Sequence, residues 1–303
     1  MGDATVRRSL MRNSKCYLYS ALSLLMYLLV SGCTIIRPVA PDLSQVPAVV
    51  DGKRFSYDAY ERVLDTFVTG NGLVHYSKLR SDRISLDLFY AMIAAISPDS
   101  HPHLFPSKND RLAYWINAYN STVLLGVVEQ YPLSSVTDVK APAVLFFFPD
   151  QSGFFFFQRF VYGGSETSLY FLENTVIRQR FDDPRFHFAL NCASRSCPKL
   201  PRIPFYPAML DSQLDAEARK FINSTENVRY DHSTETLYLS AIFDWYEDDF
   251  LDWLREKHHN GQPSLLAYLL LYAEGELKTS LTEHTVTKIR FLEYDWGLND
   301  AKK

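Results

Sequence analysis

The sequence has 303 residues, of which 47% are apolar and 15% aromatic, a composition typical of globular proteins. Its formal net charge is −4 at pH 7, and no tract of basic residues follows the first 32 residues, which argues against a nucleic-acid-binding protein. It contains no collagen-like period and no phosphate-cradling glycine loop, which argues against fibrous structure and nucleotide chemistry.

The first 32 residues have the build of a secretory leader, because four basic residues precede an uncharged run over 16–36. Within that run, Val30-Ser31-Gly32-Cys33 resembles the bacterial lipobox, in which the cysteine thiol is acylated and the chain is cut just ahead of it. The alternative is an uncleaved membrane helix, since about 20 apolar residues can span a bilayer. We expect residues 1–32 to be removed, Cys33 to carry lipid such as palmitate, and residues 33–52, with three prolines, to form a tether.

These features predict a protein of the cell envelope. Thr34 is not Asp, the residue that usually retains such lipoproteins at the inner membrane, so we expect the periplasmic face of the outer membrane. The predicted partner is therefore the membrane, through the lipid on Cys33, and nucleic acid is not expected. Removal of the leader takes away four of the 31 basic and one of the 35 acidic residues, which leaves about seven net negative charges.

Residues 53–303 are expected to form one globular domain. Apolar residues at helical spacing predict helices over 56–67, 86–96, 107–131, 168–177, 208–222, 241–256 and 264–273. Short extended segments are predicted over 73–77, 187–190 and 288–292, and hairpins are predicted from 144–148 with 154–161 and from 228–230 with 236–240. The predicted fold class is α+β, mainly helical with a small antiparallel or mixed sheet.

Two asparagines stand out within the predicted helix over 107–131. Asn117 and Asn120 are three residues apart and therefore share a helix face that is otherwise apolar. Asparagine is costly to bury without hydrogen bonds. Both side chains are expected either to bond to loop backbone and fix the fold or to contact a ligand.

Reactive side chains concentrate in residues 187–198. This stretch holds Cys192 and Cys197, the only cysteines after Cys33. In a compartment that oxidises thiols, a disulfide between them is expected. Redox exchange is a weaker alternative, because the spacing is Cys-x4-Cys and not Cys-x2-Cys.

Cys192 could instead be the nucleophile of a hydrolase or acyl transferase, with His187 as the base and Glu173 as an orienting group. Against this, Cys192 and His187 are five residues apart on an expected strand, so their side chains should point to opposite faces. Glu173, His187 and His75 have no recognised metal spacing, so neither a metal nor another cofactor is expected. The candidate binding residues are Asn117, Asn120, Asn191 and Ser194.

Short motifs follow one another along most of the mature chain: Tyr76-Ser77, 113–120, Ser168-Leu169 with Glu173, 183–198, 239–250 and 294–296. From about residue 72 to residue 298 they resemble the family known as domain of unknown function 547. The resemblance implies no established reaction. Asn174 stands where the family usually has histidine, and His75 where it often has Asp, so a role of that histidine in relatives would be lost or moved here.

A helix followed by a strand that bears a histidine is also similar, by analogy alone, to the order of elements in papain-like and transglutaminase-like folds. The sequence thus predicts a membrane-tethered bacterial lipoprotein of unknown activity, a binding or structural module with a disulfide-braced loop. The alternative is a cysteine-dependent hydrolase or acyl transferase that uses Cys192.

Overall fold

The computed structural model describes residues 39–46, 54–142, 147–257 and 262–301. The leader, Cys33 and most of the tether lie outside these residues, as does part of the expected strand over 144–148. Within the described ranges, no helix has both the length and the apolar character needed to span a membrane.

The fold is α+β and mainly helical, which confirms the predicted class. Helix α5 consists of three consecutive segments, Leu169–Phe171, Leu172–Ile177 and Arg178–Arg180, the second of which is π-helical. The other helices are α1 Asp58–Phe67, α2 Tyr76–Ser81, α3 Ile84–Ala95, α4 Lys108–Gln130, α6 Leu210–Ile222, α7 Ala241–Trp245, α8 Glu247–Lys257, α9 Leu265–Leu270 and α10 Gly275–Glu283. The strands are β1 Phe160–Tyr162, β2 Ser165–Thr167, β3 Val228–Asp231, β4 Thr236–Leu239 and β5 Lys288–Phe291.

The strands form two small sheets. β1 and β2 pair antiparallel, with Phe160 opposite Thr167, and the turn between them is Gly163-Gly164. In the other sheet β4 is central, antiparallel to β3 and parallel to β5. The apolar core has two clusters, a larger one built on the N-terminal helices and a smaller one between α6, the mixed sheet and α7 to α9.

Helix α4 is the longest described helix and runs through the larger cluster. It begins where the Ser107 hydroxyl accepts a hydrogen bond from the Asp110 amide while the Asp110 carboxylate accepts from the Ser107 amide, which satisfies two amides that would otherwise lack partners. Every side chain from Leu112 to Val128 is buried. A helix that is covered on all sides can carry polar groups only if each finds a partner inside the protein.

The two asparagines of α4 find such partners in loop backbone. Asn117 donates from Nδ2 to the Phe205 carbonyl at 2.7 Å and accepts from the Phe205 amide at 2.9 Å. Asn120 donates to the Ala189 carbonyl at 2.9 Å and accepts from the Asn191 amide at 2.8 Å. Each amide therefore fixes the course of a loop that packs on the helix.

The structure departs from the sequence prediction at several segments. Tyr76 and Ser77, which were expected to be extended, begin helix α2, and helix α10 was not predicted. Residues 154–157 are not extended; Gly153–Phe157 is a π-helical turn, and Gly153 lies so close to the Val139 carbonyl that a side chain there would collide with it. Residues 187–190 are not a strand either, because Pro184–Phe188 is a 3₁₀-helix. The Asp183 carboxylate accepts from the Arg185 amide, and Pro184 occupies the first helical position. Both features are typical of a helix start, but the alternation of apolar residues after them led to the prediction of a strand.

Replacing Asn120 should destabilise the fold, because Asn120→Ala leaves the Ala189 carbonyl and the Asn191 amide without their partner. We expect a loss of about 2–4 kcal/mol in the free energy of unfolding, measured by urea denaturation. The matched control is Asn109→Ala, an exposed asparagine in the first turn of the same helix, which should change stability by less than about 0.5 kcal/mol. Equal effects of the two substitutions would contradict this role for Asn120.

Candidate functional site

A cavity of about 390 Å³ lies where four segments meet: α5, the loop over 189–198 that carries both cysteines (the cysteine loop), α7, and residues 294–298 (the C-terminal segment). Seven large aromatic side chains line it, and they are Tyr119, Phe155, Tyr170, Trp245, Tyr246, Tyr294 and Trp296. The chemically active side chains in it come from segments far apart in sequence and include Glu173, Arg178, His187, Cys192, Cys197 and Tyr294.

His187 is held in place from two sides. Its Nε2 lies 2.8 Å from Asp249 Oδ2, and its ring stacks on Tyr246 with ring centroids 3.9 Å apart and planes at 21°. Arg178 binds the same carboxylate through two hydrogen bonds of 2.8 Å. The order of the groups is therefore arginine, carboxylate, imidazole, with α5 and α8 supplying the first two.

This arrangement defines the protonation state of His187. Burial lowers the pKa of His187, and the hydrogen bond that His187 donates to Asp249 offsets only part of this effect. Burial alone would raise the pKa of Asp249, but hydrogen bonds from His187 and Arg178 hold it well below its usual range. A carboxylate can only accept, so the neutral imidazole carries its proton on Nε2 and keeps the lone pair on Nδ1.

Glu173 lies on the π-helical segment of α5 and accepts two phenolic hydrogen bonds. Tyr119 donates to Oε2 at 3.1 Å and Tyr246 donates to Oε1 at 2.5 Å. Burial raises the pKa of both tyrosines, and the charge of Glu173 raises them further. The two hydroxyls therefore remain donors, and the carboxylate is fixed at the cavity wall by neutral partners.

Asn174 lines the cavity and makes two side-chain hydrogen bonds. Its Nδ2 donates to the Tyr170 carbonyl at 2.9 Å, and its Oδ1 accepts from Arg178 Nη1 at 2.7 Å. The amide thus orients Arg178 toward Asp249.

Cys192 and Cys197 form a disulfide, as the sequence predicted. The Tyr294 hydroxyl lies 3.0 Å from Cys192 Sγ and 3.2 Å from Cys197 Sγ. Ser194 Oγ is 2.8 Å from Cys192 Sγ, so this candidate binding residue contacts the bridge. Within the described residues the bridge therefore forms part of the cavity wall, and no thiol is free there.

The cysteine loop is stiffened by its own side chains and by the C-terminal segment. Asn191 Nδ2 donates to the Pro198 carbonyl at 2.7 Å, and its Oδ1 accepts from the amide of Ala193, whose φ of 63° is left-handed. The Arg195 amide donates to the Gly297 carbonyl at 2.8 Å. Hydrogen bonds within the loop and to residues 295–297 thus fix its conformation.

The structure brings together some of the predicted site residues. Glu173, His187, Cys192 and Cys197 line one cavity, and the expectation that His187 and Cys192 face apart on a strand was wrong because that segment is a 3₁₀-helix followed by a loop. Asn117, Asn120 and Asn191 are buried and bound to backbone, and none of them lines this cavity. His75 also lies elsewhere, at the start of α2.

Several residues at the site carried no role in the sequence analysis. Asp249, Tyr246 and Tyr294 all lie in motifs that resemble the family, yet nothing local to them indicates chemistry. A buried histidine usually needs a hydrogen-bond partner, so a carboxylate in another motif could have been proposed as the partner of His187. That reasoning would have pointed to Asp249. The other aromatic residues of the cavity to which the sequence analysis gave no role are Tyr119, Phe155, Tyr170, Trp245 and Trp296.

The fold and the site define an α+β protein with an aromatic-walled cavity and a disulfide in its wall. Residues 105–222 match the model of a family described as "Protein of unknown function, DUF547". The match supports the resemblance over α4, α5, the cysteine loop and α6, and it ends before Asp249 and Tyr294. No curated protein and no solved structure matches the chain.

The lowered pKa of His187 predicts that stability falls as pH falls from about 7.5 to 5.5. Unfolded chains take up a proton near pKa 6.5, whereas folded His187 resists it, so the unfolded state binds more protons in this window. The slope contributed by His187 cannot exceed about 1.4 kcal/mol per pH unit. It should be absent in His187→Gln and retained in His103→Gln, an exposed control, when urea denaturation is repeated across the pH range. An unchanged slope in His187→Gln would refute the assignment.

Proposed function

We propose that this protein is a membrane-tethered lipoprotein of the cell envelope that binds a small molecule in the cavity beside the Cys192–Cys197 bridge. The leader and the Cys33 motif support the tether and the compartment. The observation that carries the binding role is a concave, aromatic-walled space whose polar groups are already oriented by neighbours. Small-molecule sites generally have this build, with few polar groups set in an apolar wall.

Charge and wall chemistry together suggest the class of ligand. One cation, Arg178, faces two carboxylates, Asp249 and Glu173; it is bound to Asp249 by two hydrogen bonds, while Glu173 has neutral tyrosine partners. His187 adds no charge because its pKa is lowered. Asp249 lies outside the cavity lining and is paired with Arg178, so the Glu173 carboxylate is the charge left without an ionic partner at the cavity. A carboxylate of this kind beside aromatic faces favours an organic ammonium group attached to an apolar skeleton.

The matched probes are 2-phenylethylammonium and 3-phenylpropionate, which differ mainly in the charge at one end. We expect calorimetry to show binding of the ammonium and not of the carboxylate. Glu173→Gln should weaken ammonium binding by about tenfold, or about 1.4 kcal/mol, because it removes the uncompensated charge. Glu166→Gln, at an exposed position of β2 outside the cavity, is the control and should leave binding unchanged. Equal binding of both probes would refute the proposed ligand class.

A cysteine-dependent hydrolase or acyl transferase is the second candidate, favoured by one observation. Cys192 and His187 line the same cavity, and Asp249 orients His187 as the third group of such a site would. The bridge opposes this role, because a disulfide sulfur is not a nucleophilic thiolate. Two-electron reduction by a dithiol would release both thiols, so activity of this kind would require the reduced protein.

Mass analysis of protein isolated from the membrane fraction without reductant separates these proposals. We expect the N-terminal peptide to begin at an acylated Cys33, and Cys192 and Cys197 to be recovered as one linked, iodoacetamide-resistant peptide. Recovery of a peptide that retains residues 1–32 would refute the lipoprotein. A Cys192 that is alkylated without reduction would favour the hydrolase over the binding module.

A further inference from the structure

A continuous group of aromatic rings lies on the surface beside the cavity. Phe147, Tyr170 and Phe171 have exposed fractions of 68%, 47% and 37%. Neighbouring rings of the group have centroids 5.0 to 5.7 Å apart. We call it the aromatic patch, and its members are Phe147, Phe148, Phe156, Phe157, Tyr170 and Phe171.

The aromatic patch is a larger set of touching rings than the other exposed ring group, in which Trp245 contacts Tyr294 and Trp296. Exposed aliphatic side chains such as Ile84 and Met209 are common on soluble proteins and need no explanation. Rings that touch one another over a surface usually mark a contact with a protein, a ligand or a membrane. Exposure alone does not say which of these covers the patch.

The attachment of the tether identifies the occupant. The Val39 amide donates to the Arg159 carbonyl at 3.0 Å, and the Tyr90 hydroxyl donates to the Val39 carbonyl at 2.6 Å, so Val39 is fixed on the domain. Arg159 is two residues from Phe157, and its guanidinium lies 5.9 Å from the centre of the Phe171 ring. The described chain therefore enters the domain at the edge of the aromatic patch.

Covalent geometry then limits the distance to the lipid. Six residue steps separate Cys33 from Val39, and each spans at most about 3.6 Å, so an acylated Cys33 would lie within roughly 20 Å of Val39. A bilayer holding that lipid is within reach of the aromatic patch. The same short tether would keep surfaces on the opposite side of the domain away from the bilayer.

We propose that the aromatic patch docks on the lipid bilayer that holds the Cys33 anchor, an inference that rests on the tether of the proposed function. Phenylalanine and tyrosine rings would enter the interfacial region, with Arg159 at the rim among the phosphates. The mature chain carries about seven net negative charges, so anionic lipid does not attract it as a whole. Apolar contact therefore supplies the attraction, and docking should depend little on salt.

Spin-label depth measurements on the full, lipid-bearing chain in phosphatidylcholine vesicles test the proposal. Labels are attached through Phe147→Cys and, in a second variant, Phe171→Cys; Met209→Cys, at a residue with an exposed fraction of 50% outside the aromatic patch, is the control. We expect both patch labels to be several-fold more accessible to oxygen than to a water-soluble nickel chelate, relative to the control label. This difference should persist in 1 M salt.

Vesicle flotation distinguishes the ways in which the proposal can fail. Protein that floats with the vesicles while both patch labels are as accessible to nickel as the control refutes docking and leaves the tether intact. Protein that does not float refutes the anchor and the docking together. Binding of 2-phenylethylammonium, measured separately, would stand in either case.

Discussion

The rest of the site depends on the hydrogen bonds that two buried asparagines of α4 make to loop backbone. Asn120 fixes the backbone on both sides of Leu190, just ahead of Cys192, and Asn117 fixes the segment at Phe205. Tyr119, between them in sequence, reaches Glu173. The same helix therefore places the loop with the disulfide and one donor to the cavity carboxylate. Helix α4 is buried throughout, contributes Tyr119 to the cavity and packs against α5.

Much of the fold could be predicted from periodic patterns. The helix over 107–131 and the pairing of 228–230 with 236–240 were confirmed, because long apolar periods and short alternating strands beside polar turns are strong signals. Predictions of strands were wrong where local features, such as a helix cap, favoured a helical turn over the strand that the apolar pattern indicated. At 184–188 a capping aspartate and a proline begin a 3₁₀-helix in an alternating stretch, and at 153–157 a run of phenylalanines without alternation forms a helical turn. The helix Gly275–Glu283 was not predicted at all.

The candidate site was predictable only in part. Residues that are close together in sequence were identified, and those that are far apart in sequence were not. Reactive side chains are concentrated in the stretch that holds His187, Cys192 and Cys197, and this concentration can be read directly from the sequence. The partners that give them a function are remote: Asp249 is 62 residues from His187, and Tyr246 is 73 residues from Glu173. Apolar periodicity indicates which face is buried, but it does not indicate which carboxylate meets which imidazole. The hydrogen bonds of Asn120 to loop backbone, in contrast, agree with a rule that applies to any buried asparagine.

The cavity and the aromatic patch are physically joined, which links the two proposals. Tyr170 belongs to the patch and also lines the cavity, and Phe155 lines the cavity beside Phe156 of the patch. Docking of the patch would therefore set the cavity close to the membrane surface. Molecules with an ammonium group and an apolar skeleton concentrate at that surface, since one end is solvated by water and the other by acyl chains. A carboxylate held by neutral tyrosines at such a position would select the ammonium end, while the aromatic wall accepts the apolar end without requiring one specific skeleton.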